Sequence, residues 1–194
     1  TIQNIGGSHS LSINGDFTNN GIVLNNVSFL TLYINGDIVN NGTWSNHSTI
    51  LNGTSDQELS CLGTNYFSGS NFLDYEISSQ IIGLSDLTFV GTNIDLDIST
   101  LVLNSGSTLS VTGSGITFRD AIVIGNNSVL EMSSGSQIQN IEISDITLQG
   151  ILSIGDNDSH FYGTTISNAT IQNTGGSHSL AIHGDFTNNG TILN

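Results

Sequence analysis

The sequence predicts an all-β fold, a parallel β-solenoid (parallel β-helix) with rungs of about 21 residues. Three observations support it: the composition, the alternation of apolar and polar residues, and an internal repeat. The 194 residues include 24 Asn and 23 Gly but no Pro, and Asn and Gly favour turns over helix interiors. Alternation is clearest at Leu30, Leu32 and Ile34, which we expect to point inward, while Thr31 and Tyr33 point outward.

The short repeat has a period of about 21 residues, within the range typical of a solenoid rung. Segment 11–21 recurs at 32–42 with eight of its eleven positions unchanged. The same shift predicts the following stacked pairs: Leu101 with Ile122, Leu103 with Ile124, Leu109 with Leu130, and Val111 with Met132. A slightly longer step, 152 − 130 = 22, then places Leu152 above Leu130 and Ile154 above Met132.

Each rung is predicted to hold two or three short strands separated by Gly/Asn corners, with rungs about 4.8 Å apart. Asn-Gly pairs between apolar segments also suit an antiparallel β-sandwich of hairpins, which is the alternative fold. We favour the solenoid because hairpins do not require a constant register along the chain. The period is least regular over residues 61–82, where we expect an insertion or a longer turn.

A second repeat is much longer. Residues 170–194 match residues 1–25 at 20 of 25 positions, and the offset between the two copies is 170 − 1 = 169. Residues 1–169 are therefore predicted to form one solenoid repeat unit, and residues 170–194 to begin the next tandem unit within the same solenoid. Because eight rungs of the short period make 8 × 21 = 168, the prediction is eight turns per unit.

Several segments resemble the rungs of large secreted surface proteins of the Bacteroidota. Segment 13–21 (INGDFTNNG) resembles their GNFTNNGT motif, and segment 49–60 (TILNGTSDQELS) resembles FNGTGSQTISG. Segments 64–67 and 101–109 resemble the TTFYNLTI and LTLTSGTLNL stretches that follow there. The resemblance implies a parallel β-helix, export by the type IX or a related route, and a place in a surface adhesin, stalk or extracellular fibre.

The charge balance excludes several functions. Sixteen acidic residues face one basic residue, Arg119, which gives a net charge of −15. Nucleic-acid binding depends on several Lys and Arg contacts to phosphate, and anionic membrane surfaces would repel this chain. No apolar run approaches the ~20 residues of a membrane span, so we expect neither nucleic-acid partners nor membrane insertion.

A catalytic pair was sought among the carboxylates, because some parallel β-helices are polysaccharide lyases or glycosidases. Asp95 and Asp97 alternate on one strand face at about the separation that a glycosidase requires. We interpret them as a solvated strand face, and Arg119 with Asp120 as a surface ion pair. The sequence predicts no enzyme, no catalytic residues and no cofactor.

A metal site was sought in segment 155–160, where Asp156, Asp158 and His160 alternate faintly like a Ca²⁺ loop. The Gly and distal Glu of an EF-hand are missing, so we interpret the segment as a polar corner and predict no metal site. His9 and His178 occupy equivalent positions of the long repeat and are expected at corners or strand flanks.

Cys61, the only cysteine, is predicted to be a small buried hydrophobic residue. The aromatic side chains are predicted to pack in the core or at corners: Tyr33, Trp44, Tyr66, Phe67 and Phe72. Residues 66–75 are the expected projecting loop and the one place where exposed aromatics could bind carbohydrate.

Together these features predict a structural repeat unit of an extracellular bacterial fibre, stalk or adhesin shaft that assembles by stacking rungs on other copies of itself. One alternative is an adhesin module that binds carbohydrate or a host or cell-surface protein, at the lateral face or at segment 61–82. A more remote alternative is a polysaccharide-active β-helix enzyme.

Overall fold

The computed structural model describes residues 1–26, 28–74, 80–155, 157–174 and 176–193. These residues contain 26 strands and no helix, and strand accounts for 63% of the structure. Each strand pairs in parallel with the strand about three positions along the chain, as Ile2 does with Val23 and Phe17 with Ile38. The predicted parallel β-solenoid with ~21-residue rungs is confirmed, and the antiparallel sandwich is wrong.

The chain makes about nine turns, and each turn contributes one strand to each of three faces. Face 1 consists of β1 (Ile2–Asn4), β4 (Ile22–Asn25), β7 (Thr43–Ser45), β10 (Phe67–Ser68), β13 (Leu87–Thr92), β16 (Thr108–Ser114), the end of β18 (Ile122–Met132), the middle of β20 (Glu142–Ile154), β22 (Thr164–Ser167) and β25 (Asp185–Asn188).

Face 2 consists of β2 (His9–Ile13), β5 (Leu30–Ile34), β8 (Ser48–Leu51), β11 (Asn71–Asp74), β14 (Asp95–Asp97), β17 (Thr117–Arg119), β19 (Gln137–Gln139), the end of β20, β23 (Thr170–Asn173) and β26 (Thr191–Leu193). Face 3 consists of β3 (Phe17–Asn19), β6 (Ile38–Asn40), β9 (Gln57–Cys61), β12 (Ile81–Gly83), β15 (Thr100–Leu103), the starts of β18 and β20, β21 (Ser159–Tyr162) and β24 (Leu180–Ile182).

The core is a set of apolar ladders that run along the axis. Leu30, Leu32 and Ile34 are buried, as predicted, and Thr31 and Tyr33 are half-buried on the outside. The inner ladder of face 1 contains Val23, Trp44, Phe67, Phe89, Val111 and Met132 in register. Its aromatic rings lie 5.2–5.6 Å apart between centroids, close enough for favourable ring contacts in addition to apolar burial.

An asparagine ladder fixes the corner between faces 3 and 1. Asn40 is fully buried, and the Asn19 side-chain amide donates to its Oδ1 at 2.9 Å. The same Oδ1 accepts the backbone N–H of Gly42, and the Asn40 amide donates to the carbonyl of Tyr66 in the next turn. Each buried amide therefore closes its own turn and bonds the neighbouring rung, which satisfies polar groups that would otherwise be costly to bury.

Two predicted registers are wrong, and the first is at Leu101. Leu101 pairs with Val123, one residue beyond Ile122, so Val123 is buried and Ile122 is exposed. The predicted pair of Leu103 with Ile124 is wrong for the same reason, since Ile124 pairs with Val102. A slip of one residue exchanges the inner and outer faces of a strand. The pairing of Leu109 with Leu130 and of Val111 with Met132 is as predicted.

The predicted longer step to Leu152 and Ile154 is also wrong. Leu148 lies over Leu130, a step of 148 − 130 = 18, and Ile154 lies over Ile138 on face 2. The reason is that β20 turns two corners with very few residues. Asp145 (φ 55°) and Gly150 (φ 78°) adopt left-handed backbone conformations at these corners.

Segment 61–82 contains the predicted longer turn, because register partners are 67 − 44 = 23 residues apart at Trp44–Phe67 and 81 − 57 = 24 at Gln57–Ile81. Its strands nevertheless continue the solenoid. Phe67 and Phe72 are buried on strands that continue faces 1 and 2, so residues 67–74 are rungs and the prediction of a projecting loop is wrong for them. Tyr66, by contrast, is exposed. Residues 75–79, which include Tyr75, lie outside the described part of the chain.

Glycine is required at corners where the next rung passes close to the backbone. A Cβ at Gly42 would collide with the carbonyl oxygen of Gly21, whereas a Cβ at Gly21 would meet nothing. We expect Gly42→Ala to lower the free energy of unfolding by about 1–3 kcal/mol through overpacking. Gly21→Ala is the matched control and should leave it unchanged or slightly raised. Equilibrium urea unfolding of both variants measures this, and equal losses would contradict the close approach.

Cys61 is buried, as predicted, and burial raises the pKa of its thiol to about 11. Because the thiolate is the nucleophile, the folded chain should not react with iodoacetamide at pH 8, whereas the urea-unfolded chain should be alkylated. Mass spectrometry after a timed exposure measures both. Rapid alkylation of the folded chain would show that the end of β9 opens and exposes the thiol.

Candidate functional site

A charged cluster on the outside of face 2 brings together the predicted carboxylate pair, Asp95 and Asp97, with the predicted ion pair of Arg119 and Asp120. Asp95 and Asp97 lie on β14, and Arg119 on β17 is the register partner of Asp97. The guanidinium contacts Asp95 at 2.7 Å, Asp97 at 3.3 Å and Asp120 at 3.0 Å. The predicted pair with Asp120 is confirmed, and the stronger contact with Asp95 was not predicted because it spans one turn of the solenoid.

The pKa values of Arg119 and Asp97 are both raised in this cluster, but for different reasons. Arg119 donates from both Nε and Nη2 to the two oxygens of Asp95, and this hydrogen bonding raises the pKa of Arg119 further above its ordinary range. The pKa of Asp97 is raised, chiefly because partial burial disfavours its charged form, although Arg119 opposes the shift. Asp97 is therefore the less stabilised of the two carboxylates.

This arrangement offers little to a polysaccharide substrate. A glycosidase uses one carboxyl group as a proton donor and another as a free base or nucleophile. Here a single guanidinium holds Asp95 through two hydrogen bonds and also contacts Asp97. The cluster borders a shallow groove that also contains Asn93 and Thr117. Its geometry is that of an ion-pair network bridging two rungs.

Asn157 and Asp158 are exposed and precede β21, which begins at Ser159. Asp158 Oδ1 accepts the backbone N–H of Ser179 at 2.7 Å, a bond that lowers the pKa of Asp158. Asp156 lies outside the described residues. Within the described ranges, no three His, Cys, Asp or Glu side chains lie close enough to hold a metal ion.

His9 and His183 are exposed, whereas His47, His160 and His178 are half-buried. His9 begins β2, and the ring of His178 accepts the backbone N–H of Asn157 at 3.2 Å. The structure also stacks His160 and His183 with Tyr162 on face 3, with His160 Nδ1 3.0 Å from His183 Nε2. Sequence reasoning missed this stack because His183 lies one turn beyond His160 and Tyr162, 183 − 160 = 23 residues along the chain from His160.

The first and last turns of the described residues each have one edge that pairs with no other strand among these residues. Within the described residues, β1 to β3 pair only with the turn above them, and β24 to β26 pair only with the turn below. Ile182 and Ile192 are exposed here, although their register partners Phe161 and Ile171 one turn below are buried. Unpaired parallel edges of this kind are ready to accept another strand.

Comparison of the chain with models of known protein families, with curated proteins and with solved structures returns no match. The comparisons therefore show no link between this chain and the Bacteroidota surface proteins that its rungs resemble. The described residues contain no helix that is long and apolar enough to span a membrane.

Removing the cation should expose the repulsion between carboxylates on face 2. Arg119→Met should lower the free energy of unfolding by about 0.2–1 kcal/mol at pH 7, a range typical of partly exposed ion pairs. The loss should shrink as salt is added, because salt screens partly exposed charges. Thermal unfolding at several salt concentrations measures it.

Asp97→Asn is the matched control. Because the folded-state pKa of Asp97 lies above its ordinary value of 3.8, its ionisation costs stability as pH rises above about 4. The variant should therefore be at least as stable as the parent chain at pH 7. A loss equal to that of Arg119→Met would show that Asp97, rather than Asp95, is the principal partner.

Proposed function

We propose that this chain is a structural, non-catalytic repeat unit of an extracellular bacterial fibre, stalk or adhesin shaft. Its partner is a further copy of the same unit, joined by stacking of rungs. The resemblance of its rungs to those of secreted surface proteins is the ground for placing it outside the cell.

The observation that carries the proposal is the continuity of the solenoid into the second copy of the repeat. Strands β23 to β26 belong to that second copy, and each pairs in register with the turn below. Ile171, for example, pairs with Leu152 and is itself buried. Since no break separates the copies, tandem units form one rod rather than a string of separate domains.

The lateral surface is suited to a long rod. Outward positions carry mainly Asn, Ser, Thr and Gln, as in the ladder of Gln137, Ser153 and Gln172 on face 2. The Gln172 amide donates to Ser153 Oγ at 3.0 Å across one rung. Neutral side chains can bond along the axis in this way, whereas like charges at the same spacing would repel.

An adhesin module is the second candidate, favoured by one local feature. Leu62 and Tyr66 are exposed at the corner that leads from β9 to β10. An exposed aromatic ring beside an apolar side chain is the kind of surface to which carbohydrate or protein binds. Glycan-array binding that is lost in Tyr66→Ser but kept in Tyr33→Ser would support this candidate.

The rod is tested by adding one unit. An extended chain, in which residues 1–169 precede the complete 194-residue chain, should be longer than the original by about 40 Å at ~4.8 Å per turn. Small-angle X-ray scattering should show this increase with an unchanged cross-sectional radius. The matched control joins two complete chains through a flexible Gly/Ser linker.

Scattering from the extended chain that matches the flexible control would contradict a continuous rod. The extracellular site is tested separately: antibodies raised against the chain should label intact, unpermeabilised cells of the source organism. Labelling that requires lysis would contradict that part of the proposal while leaving the rod untouched.

A further inference from the structure

The two copies of the long repeat do not lie on the same faces. Strand β1 (Ile2–Asn4) lies on face 1, whereas the equivalent residues 171–173 lie in β23 on face 2. The remaining strands follow the same displacement: β2 is on face 2 and its equivalent β24 on face 3, while β3 is on face 3 and its equivalent β25 on face 1.

Counting strands gives the size of the displacement. From β1 to β22, face 1 contains nine successive strands, which span eight full turns, and β23 lies one face beyond β22. The unit formed by residues 1–169 therefore makes eight and one-third turns rather than the eight that the period predicts. The mean rung is then about 20 residues long, still within the range of solenoid repeats.

The additional third of a turn arises from short steps in the last turns of the unit, those of β20, β22 and β23, where Leu148–Ser167 and Leu152–Ile171 are each 19 residues apart. The step from Ile138 to Ile154 is 154 − 138 = 16, and the step from Leu130 to Leu148 is 18. The preceding step, from Leu109 to Leu130, is 130 − 109 = 21. Gly150 allows the backbone to pass close to the Met132 carbonyl oxygen, with which a Cβ at this position would collide. Because these turns use fewer residues, the 169 residues of one unit complete eight turns and one additional face.

The same sequence fits two different faces because the faces are built alike. Phe17 on face 3 packs edge-on against Trp44, with ring centroids 5.5 Å apart. Its equivalent Phe186 on face 1 packs against Phe161 at 6.0 Å. Asn19 and Asn188 both use Oδ1 to accept the backbone N–H two residues ahead.

We propose that the open end formed by β24 to β26 is the docking surface for the rung equivalent to residues 30–45 of a second copy of the unit, and that each copy is rotated by one face relative to the copy before it. This rests on the proposed function as a tandem rod. The occupant follows from the repeat, because residues 30–45 already lie on β2 to β4, of which β24 to β26 are the equivalents.

The contacts that would hold this rung can be read from the first copy. Asp16 Oδ1 accepts the N–H of Asp37 at 3.0 Å, and the Gly21 carbonyl accepts the N–H of Thr43 at 2.9 Å. The second copy offers the same groups at Asp185 and Gly190, both of which are exposed. A second unit would cover these acceptors and the exposed apolar side chains beside them.

The rotation changes what the rod displays. The Arg119 cluster of successive units would face three directions in turn and return to its first direction after three units, because three times eight and one-third turns is a whole number, 25. At ~4.8 Å per turn, identical surfaces along one side would recur about every 120 Å, instead of every 40 Å.

Engineered disulfides in the complete 194-residue chain test the register on which the rotation depends. In a Cys61→Ala background, Glu131→Cys with Gln149→Cys and Gln137→Cys with Ser153→Cys join register partners. Parallel partners about 4.8 Å apart lie within disulfide range. The matched control, Glu131→Cys with Ser153→Cys, joins the partners of the rival register, in which the unit makes eight turns.

We expect both register pairs to oxidise to more than about half and the control pair to stay reduced, as measured by thiol labelling and mass spectrometry of folded variants. Oxidation of the control pair alone would overturn the rotation, yet the rod scattering of the extended chain would be unaffected. The second measurement is cryo-EM of a six-unit array: rotation by one face per unit supports the proposal, and translation without rotation overturns it even if no pair oxidises.

Discussion

The constraint on which this structure depends is the stacking of one rung on the next at the spacing of hydrogen-bonded strands. Each side chain has its equivalent about 4.8 Å above and below it, so every property of a residue is repeated along the axis. Buried Leu and Phe gain neighbours of the same kind, and Asn40 gains an amide partner in Asn19. A Pro in a strand would remove a bond between rungs, in keeping with the absence of Pro from the chain.

The same constraint explains the charge distribution. The deficit of basic residues gives a net charge of −15, but acidic residues make up only 16 of 194. Where Asp95 and Asp97 do lie together on one strand, the only Arg of the chain sits on the next turn and bridges them. The small number of charged residues therefore fits the stacking of rungs, in which like charges on neighbouring turns would repel.

The lengths of the corners, rather than those of the strands, determine how many turns a given length of chain makes. Strand pairing fixes the spacing between rungs, but nothing in it fixes the number of residues spent at a corner. The sequence separation of register partners ranges from 154 − 138 = 16 at Ile138–Ile154 to 96 − 72 = 24 at Phe72–Leu96. Asp145 and Gly150 adopt left-handed backbone conformations at the corners of one short turn. All strands of the second repeat copy are then displaced by one face relative to their equivalents in the first copy.

The sequence by itself determined the fold class, the rung length, the inward direction of Leu30, Leu32 and Ile34, and the burial of Cys61, because periodicity and alternation are local properties of the chain. Only the tertiary structure decided the register at Val123 and Leu148, the contact of Arg119 with Asp95, and the eight and one-third turns of the unit. These depend on corner conformations and on contacts between residues a full turn apart. The sequence period gives only the mean number of residues per rung, whereas the number of turns depends on the length of each individual corner.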